Sequence, residues 1–191
     1  MGCLLYKLVA KTGVDKITPD SAIPNNLWEI EVKDIKGKMR KLNEFLQGNK
    51  AFLFVNVACK WGLTGEHYTQ LVELHKKYSA NGLVVMGFPC SQFMNQELET
   101  EEKIDDFIRK NFNVEFPMFS KTEVNGDKSH PLFKYLKYNT PELRNEKGLK
   151  NVPWNFAKFL VNKKGEVVNY SDPRKKPVDL ISEIEELLNK D

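Results

Sequence analysis

Cysteine is scarce in this sequence, with three in 191 residues: Cys3, Cys59 and Cys90. None forms a CxxC pair, and none lies near a histidine at zinc-ligand spacing. The three histidines, His67, His75 and His130, are scattered. A metal centre, a disulfide framework and a CxxC redox pair are therefore not expected. An odd, small cysteine count points to free thiols in a reducing compartment, by default the cytoplasm. No apolar run is long enough to span a bilayer. No Gly-rich phosphate loop is present, so a nucleotide or flavin cofactor has no support. Charge of one sign is lacking too: 29 basic against 26 acidic residues leave a net +3. That balance does not suit a nucleic-acid partner.

What remains is an ordinary globular composition, 41% hydrophobic and 29% charged, in a length that suits one domain. Residues 1–25 lack periodicity and end in Ile23-Pro24-Asn25-Asn26, which predicts a mobile extension before a domain over 26–191. Met1-Gly2-Cys3 hints at acylation, but Tyr6 stands where the myristoylation pattern wants Ser or Thr. Leu4 to Ala10 is too short for a signal-peptide core.

From Leu27 onward the pattern is continuous. Leu27 to Ile35 alternates in part and reaches Lys36-Gly37-Lys38, which predicts a small hairpin. Ala51–Val57 and Leu83–Phe88 are short, nearly all-apolar runs, the mark of strands buried on both faces. Between them Tyr68, Leu71, Val72, His75 and Tyr78 recur at helical spacing. Strand, helix, strand makes a right-handed βαβ unit. A second helix is expected after Thr100 as N-cap, carrying Ile104, Phe107 and Ile108. Phe156–Val161 and Val167–Tyr170 flank a turn at Asn162–Gly165, as in an antiparallel hairpin. A last helix carries Ile181, Ile184, Leu187 and Leu188, with Pro177 near its first turn. Periodicity supports an α/β class with a central mixed sheet flanked by helices.

Three segments go beyond fold class. Asn56-Val57-Ala58-Cys59-Lys60-Trp61-Gly62-Leu63-Thr64 is the first. Gly87-Phe88-Pro89-Cys90-Ser91-Gln92-Phe93, with Gln96-Glu97 behind it, is the second. Trp154-Asn155-Phe156-Ala157-Lys158-Phe159-Leu160-Val161 is the third. In this collinear order, with Phe116-Pro117-Met118-Phe119 and Val124-Asn125-Gly126 between, they resemble the glutathione peroxidase family from about Leu27 onward. The short stretch from Tyr138 to Pro153 is most similar to the monomeric phospholipid hydroperoxide type, which has an open site.

The resemblance implies a thioredoxin-like fold and an antioxidant enzyme that reduces hydrogen peroxide and lipid hydroperoxides. Glutathione, or another small thiol, would be the reducing co-substrate. It implies a chalcogen at position 61, with Gln92, Trp154 and Asn155 as polar partners. Such an atom, at a strand end where a helix opens, is held as a reactive anion. Taken singly, Trp154 also suits a core aromatic, Asn155 a turn and Gln92 a strand end. No cysteine stands in Asp106–Phe112, where thioredoxin-dependent members carry a resolving one. Lys60, Lys150 and Lys158 are candidates for the carboxylates of glutathione, against the alternative of a solvated charged surface. Arg174-Lys175-Lys176 could meet phosphate headgroups in a transient membrane-surface contact, or form a plain loop.

The sequence departs from the family at the decisive position: Trp61 fills the slot for selenocysteine or cysteine. An indole cannot reduce a peroxide by this route. Three explanations are open. A selenocysteine codon is read as tryptophan; the chain is a silent, binding-only relative; or Cys59 has taken over as a redox sensor. The first carries most weight because the rest of the pattern survives. Ser91 and Met94-Asn95 also replace the family's Asn and Gly-Gly beside Gln92.

Overall fold

The computed structural model describes residues 14–15 and 23–190. The expected acylation site, the Leu4–Ala10 patch and most of the expected extension lie outside the described residues. Residues 14–15 and 23–25 of that extension are described, and Val14–Asp15 form β1. They are tied down rather than free, since Val14 pairs with Lys150 and Asp15 with Leu149. The Asp15 carboxylate also accepts from the buried Lys137 ammonium and from the Gly126 N–H at 2.9 Å.

The hairpin expected near Lys36 is β2 (Glu31–Lys33) and β3 (Met39–Lys41), preceded by a 3₁₀ turn at Leu27–Glu29. Then come β4 (Ala51–Val57), α1 (Thr64–Tyr78) and β5 (Leu83–Pro89). Next are α2 (Glu101–Phe112), α3 (Pro131–Tyr138), β6 (Arg144–Asn145) and β7 (Gly148–Lys150). The chain continues through β8 (Lys158–Asn162) and β9 (Val167–Ser171) to α4 (Ile181–Asn189).

The main sheet has the order β5-β4-β8-β9. β4 runs parallel to β5, Ala51 opposite Leu83, and antiparallel to β8, Phe54 opposite Phe159. The all-apolar runs have a direct cause: both faces of β4 are covered. Side chains alternate across a strand. Phe52 and Phe54 join Phe88, Phe159, Leu132 and Phe133 on one side. Leu53, Val55 and Val57 join Leu71, Ile104, Leu160 and Ile184 on the other. Thus α3 caps one face, and α1, α2 and α4 the other. Each such buried aliphatic or aromatic side chain contributes about 1.5–3 kcal/mol from removal of apolar surface.

The ends of α2 follow local chemistry. Thr100 accepts the Lys103 N–H at 3.3 Å, as expected of an N-cap. Asn113 closes the helix at φ 54°, a left-handed C-cap. Pro177 lies in a separate 3₁₀ turn, Pro177–Leu180, that leads into α4. The expected strand at Phe156 starts two residues later, at Lys158. Phe156 itself is left-handed, φ 63°, so no ladder can include it.

Gly87 shows a close approach. Its N–H donates to Pro117 and its carbonyl accepts from Phe119, which lays the 116–119 segment along β5. A methyl at Gly87 would overlap the Met118 sulfur and press on its Cε at 3.0 Å. Gly87→Ala is therefore expected to cost about 1–3 kcal/mol through overpacking, read as a lower urea midpoint.

Candidate active site

The strand geometry of β4 ends at Val57, and 58–63 is a bend and turn before α1. That turn is held from inside. Thr64 Oγ1 accepts the Trp61 N–H at 3.0 Å and donates to the Ala58 carbonyl at 2.8 Å. The Thr64 N–H returns to the Trp61 carbonyl at 3.0 Å. Residue 61 is thus fixed through its backbone, whatever side chain it carries. It sits just before the amino end of a fifteen-residue helix, where the axial dipole favours negative charge.

The second segment braces the first. The Glu97 carboxylate, 2% exposed, accepts the Cys59 N–H at 3.1 Å and the Leu98 N–H at 2.8 Å. The Lys60 N–H donates to the Gln96 carbonyl at 2.9 Å. Gln96 then reaches the third segment: its Oε1 accepts from Asn155 Nδ2 at 2.8 Å. Asn56 closes the circle. Its Nδ2 donates to the Trp154 carbonyl at 3.0 Å, and its Oδ1 accepts the Ala157 N–H at 2.9 Å. Its own carbonyl takes the Phe156 N–H at 2.6 Å. The three segments that stand apart in sequence meet around residue 61.

Trp61 is half-buried, stacked on Phe156 with centroids 5.7 Å apart and packed on His67 at 5.4 Å. Asn155 is fully buried, and its Oδ1 has no hydrogen-bond partner. Trp154, 3% exposed, packs on Phe93 at 5.6 Å. Gln92 lies at the surface with its amide engaged elsewhere. Its Oε1 accepts the Val124 and Asn125 N–H groups at 2.8 and 2.9 Å, and its Nε2 donates to the Asn125 carbonyl at 2.8 Å. Gln92 therefore anchors the 124–125 loop. Met94 and Asn95, in place of the flexible glycines, take the left-handed region at φ 53° and 52°.

The candidate lysines separate. Lys60 is exposed next to residue 61, with Glu99 4.0 Å away. Lys150 is exposed on β7 and donates to the Glu142 carbonyl at 2.8 Å. Lys158 corrects the expectation of a surface cation. It is fully buried, donating to the Phe156 and Asp172 carbonyls at 2.7 and 3.1 Å. Both faces of β8 are covered, which buries it, and burial pulls its pKa down to about 7. Arg174, Lys175 and Lys176 lie against Asp172, Glu183 and Glu66, so the basic run is locally neutralised.

Cys59 and Cys90 are free and buried. Burial first, then the Glu97 carboxylate, push the Cys59 thiol far above its usual range. Burial pushes Cys90 up to about 12. Neither is an activated thiolate at neutral pH.

His67 is a site residue that sequence reasoning passed over, because its one signal was a place on the inward face of α1. It is 1% exposed, between Trp61 and Phe156. Burial, then Lys158 and Lys176, pull its pKa from 6.5 to about 3. A base with a depressed folded pKa lends stability above its unfolded pKa and loses it as pH falls toward the folded one. Between pH 6.5 and about 3 the unfolded chain binds the proton first. By pH 5 this group should have removed about 2 kcal/mol. Urea unfolding of His67→Leu at pH 7 and 5 should show an acid loss smaller by that amount; equal losses in both chains would refute it.

Comparison with known proteins agrees with this geometry. A family model described as glutathione peroxidase matches residues 27–137. A probable phospholipid hydroperoxide glutathione peroxidase 6, mitochondrial, of Arabidopsis thaliana is 42% identical over 168 residues, covering 88% of this chain and 70% of that protein. The crystal structure of T. cruzi GPX1 superposes with a TM-score of 0.66 at 30% identity, covering 86% of this chain and 97% of that one. A thioredoxin-family thiol:disulfide interchange protein of Chlorobium tepidum, 14% identical with a TM-score of 0.61, covers 88% and 99%. That likeness identifies the mixed sheet as thioredoxin-like. No helix among the described residues is long and apolar enough to cross a membrane. On its matched sequence, its fold and the meeting of its three segments at residue 61, the chain belongs to the glutathione peroxidase family.

Proposed function

We propose that this protein reduces hydrogen peroxide and lipid hydroperoxides to water and alcohols with glutathione, at a chalcogen carried by position 61. The supporting observation is the convergence of three distant segments around that residue, through bonds to its neighbours Cys59, Lys60 and Asn56. The chalcogenolate attacks the distal peroxide oxygen, the O–O bond breaks, and the leaving alkoxide takes a proton. A first glutathione thiolate then attacks the resulting chalcogen hydroxide, forming a chalcogen–sulfur bond and expelling hydroxide, which takes a proton and leaves as water. A second thiol releases glutathione disulfide and restores the anion. Two thiols and one hydroperoxide thus give one disulfide, one alcohol and one water.

Trp154 and Asn155 are the polar groups this reading places beside the reacting atom; Gln92 acts through the loop it anchors. Lys60 and Lys150 are the exposed cations for the glutathione carboxylates. The absence of cysteine in Asp106–Phe112 supports an external thiol over an internal disulfide. The short 138–153 stretch supports a monomer with an open site, reachable by lipid hydroperoxides at a membrane surface. The free thiols Cys59 and Cys90 support a cytoplasmic setting.

A second reading, a silent thioredoxin-fold binding protein, is favoured by the packing of Trp61 on Phe156 and His67. A redox sensor at Cys59 is disfavoured by the burial of that thiol. Mass spectrometry of the native peptide from Trp61 to Lys76 separates the first two. A selenium isotope pattern supports the peroxidase; a genuine tryptophan in the native protein leaves the binder.

A further inference from the structure

We propose that Lys158 is a positioning residue for the slot at 61, clamping the turn beneath it and supplying the buried positive charge that favours an anion there. This rests on the reading of residue 61 as the chalcogen position.

Phe156 is the first observation. A bulky residue at φ 63° is strained and persists only where its surroundings dictate it. Two bonds do so: the Phe156 N–H to the Asn56 carbonyl at 2.6 Å, and the Phe156 carbonyl to Lys158 Nζ at 2.7 Å. In that conformation the Phe156 ring lies under residue 61, 5.7 Å from the Trp61 centroid, and against His67 at 4.8 Å. The lysine thus holds the floor of the slot.

The buried amine is the second observation. Lys158 is fully buried and donates to two backbone carbonyls, with no carboxylate among the described residues in hydrogen-bond reach. Burial of an unpaired ammonium is costly, so its retention calls for a reason. The charged groups that act on it are Asp172 and Lys175 from the loop after β9 and Asp179 from the turn before α4. On the α1 side it acts on His67, the ring that touches residue 61, together with Lys176. Burial holds the Lys158 pKa near 7, so the residue is a cation below that pH, and in that form it favours the ionised form of a thiol or selenol in the slot.

The test titrates a thiol introduced by Trp61→Cys, in chains that keep Lys158 or carry Lys158→Met or Lys158→Arg. Iodoacetamide reaction rates are followed against pH. With Lys158→Met the thiol pKa should rise by about one unit, so that alkylation below it slows about tenfold. Lys158→Arg should restore the lower value. In the chain as written, Lys158→Met should also move the His67 NMR titration upward. An unchanged thiol profile in the methionine variant overturns the proposal. If that variant does not fold, a thiol pKa raised in the arginine variant overturns it and a retained one supports it. Peroxide turnover is read in no arm, so failure of the peroxidase reading would leave the result on Lys158 interpretable.

Discussion

Trp61→Cys should raise glutathione-dependent hydroperoxide turnover by about a thousandfold or more over the chain as written, because it supplies the missing nucleophile. The rest of the site does not need the indole. Residue 61 is held by Thr64 Oγ1 and by the return bond of the Thr64 N–H, both to its backbone. The helix end and the bracing Gln96 and Glu97 contacts stay in place. The substitution removes aromatic packing on Phe156 and His67, at a cost of about 1 kcal/mol beyond lost area. That is small beside the stability of a domain of this size. The assay couples disulfide formation to NADPH oxidation by glutathione reductase. Trp61→Ser opens the same space without a chalcogen and should stay at background. Cys59→Ser, added to Trp61→Cys, should leave the gain intact, since Cys59 is buried and protonated. A cysteine variant that folds yet stays at background would end the peroxidase reading of this scaffold.

The second large effect concerns stability. Asn56→Leu should lower the unfolding free energy by about 3–5 kcal/mol. The side chain bonds the Trp154 carbonyl and the Ala157 N–H, and all these groups are buried. Leucine orphans both backbone partners, each at about 1–3 kcal/mol, and fits a differently shaped space. Asn56→Asp should fall between, since it keeps the acceptor and loses the donor, at the added cost of a buried carboxyl. Urea midpoints measure both. The same substitution frees the 154–157 turn, so a loss confined to stability, with slot geometry unchanged by NMR, would argue against Asn56 as the tie between the segments.

The strands and main helices were legible because their causes are local. Ala51–Val57 is apolar but for Asn56 since both faces are covered, and α1 and α2 repeat at helical spacing, α2 behind the ordinary N-cap Thr100. α3 was not legible. It is only eight residues long, and its cap is His130, whose Nδ1 accepts the Leu132 N–H at 3.2 Å, where Ser, Thr, Asp or Asn is the usual signal. The pairing of the short β6–β7 hairpin with β1 joins residues more than a hundred positions apart. No periodicity in strands of two or three residues announces such a partner.

The candidate site divides in the same way. The identities at 61, 92, 154 and 155 were readable in order along the chain, as were the departures at 61 and 94–95. Their relations were not. Cover on both faces of β8 buries Lys158, which residue type alone would have placed at the surface. The left-handed Phe156 breaks a run that reads as continuous strand, because its N–H is claimed by Asn56 from a distant strand and its carbonyl by the Lys158 side chain two residues on. Gln92 carries a family role in sequence and an anchoring bond set in space.

By itself, then, the sequence determined the α/β class, the order of the buried strands, the family signature and the tryptophan in the chalcogen slot. These follow from local spacing and residue chemistry. Only the tertiary structure decided which lysines are buried, which histidine flanks residue 61 and which thiols are too deeply buried to react. Burial and long-range hydrogen bonding depend on groups that are distant in the chain, and no local pattern encodes their meeting.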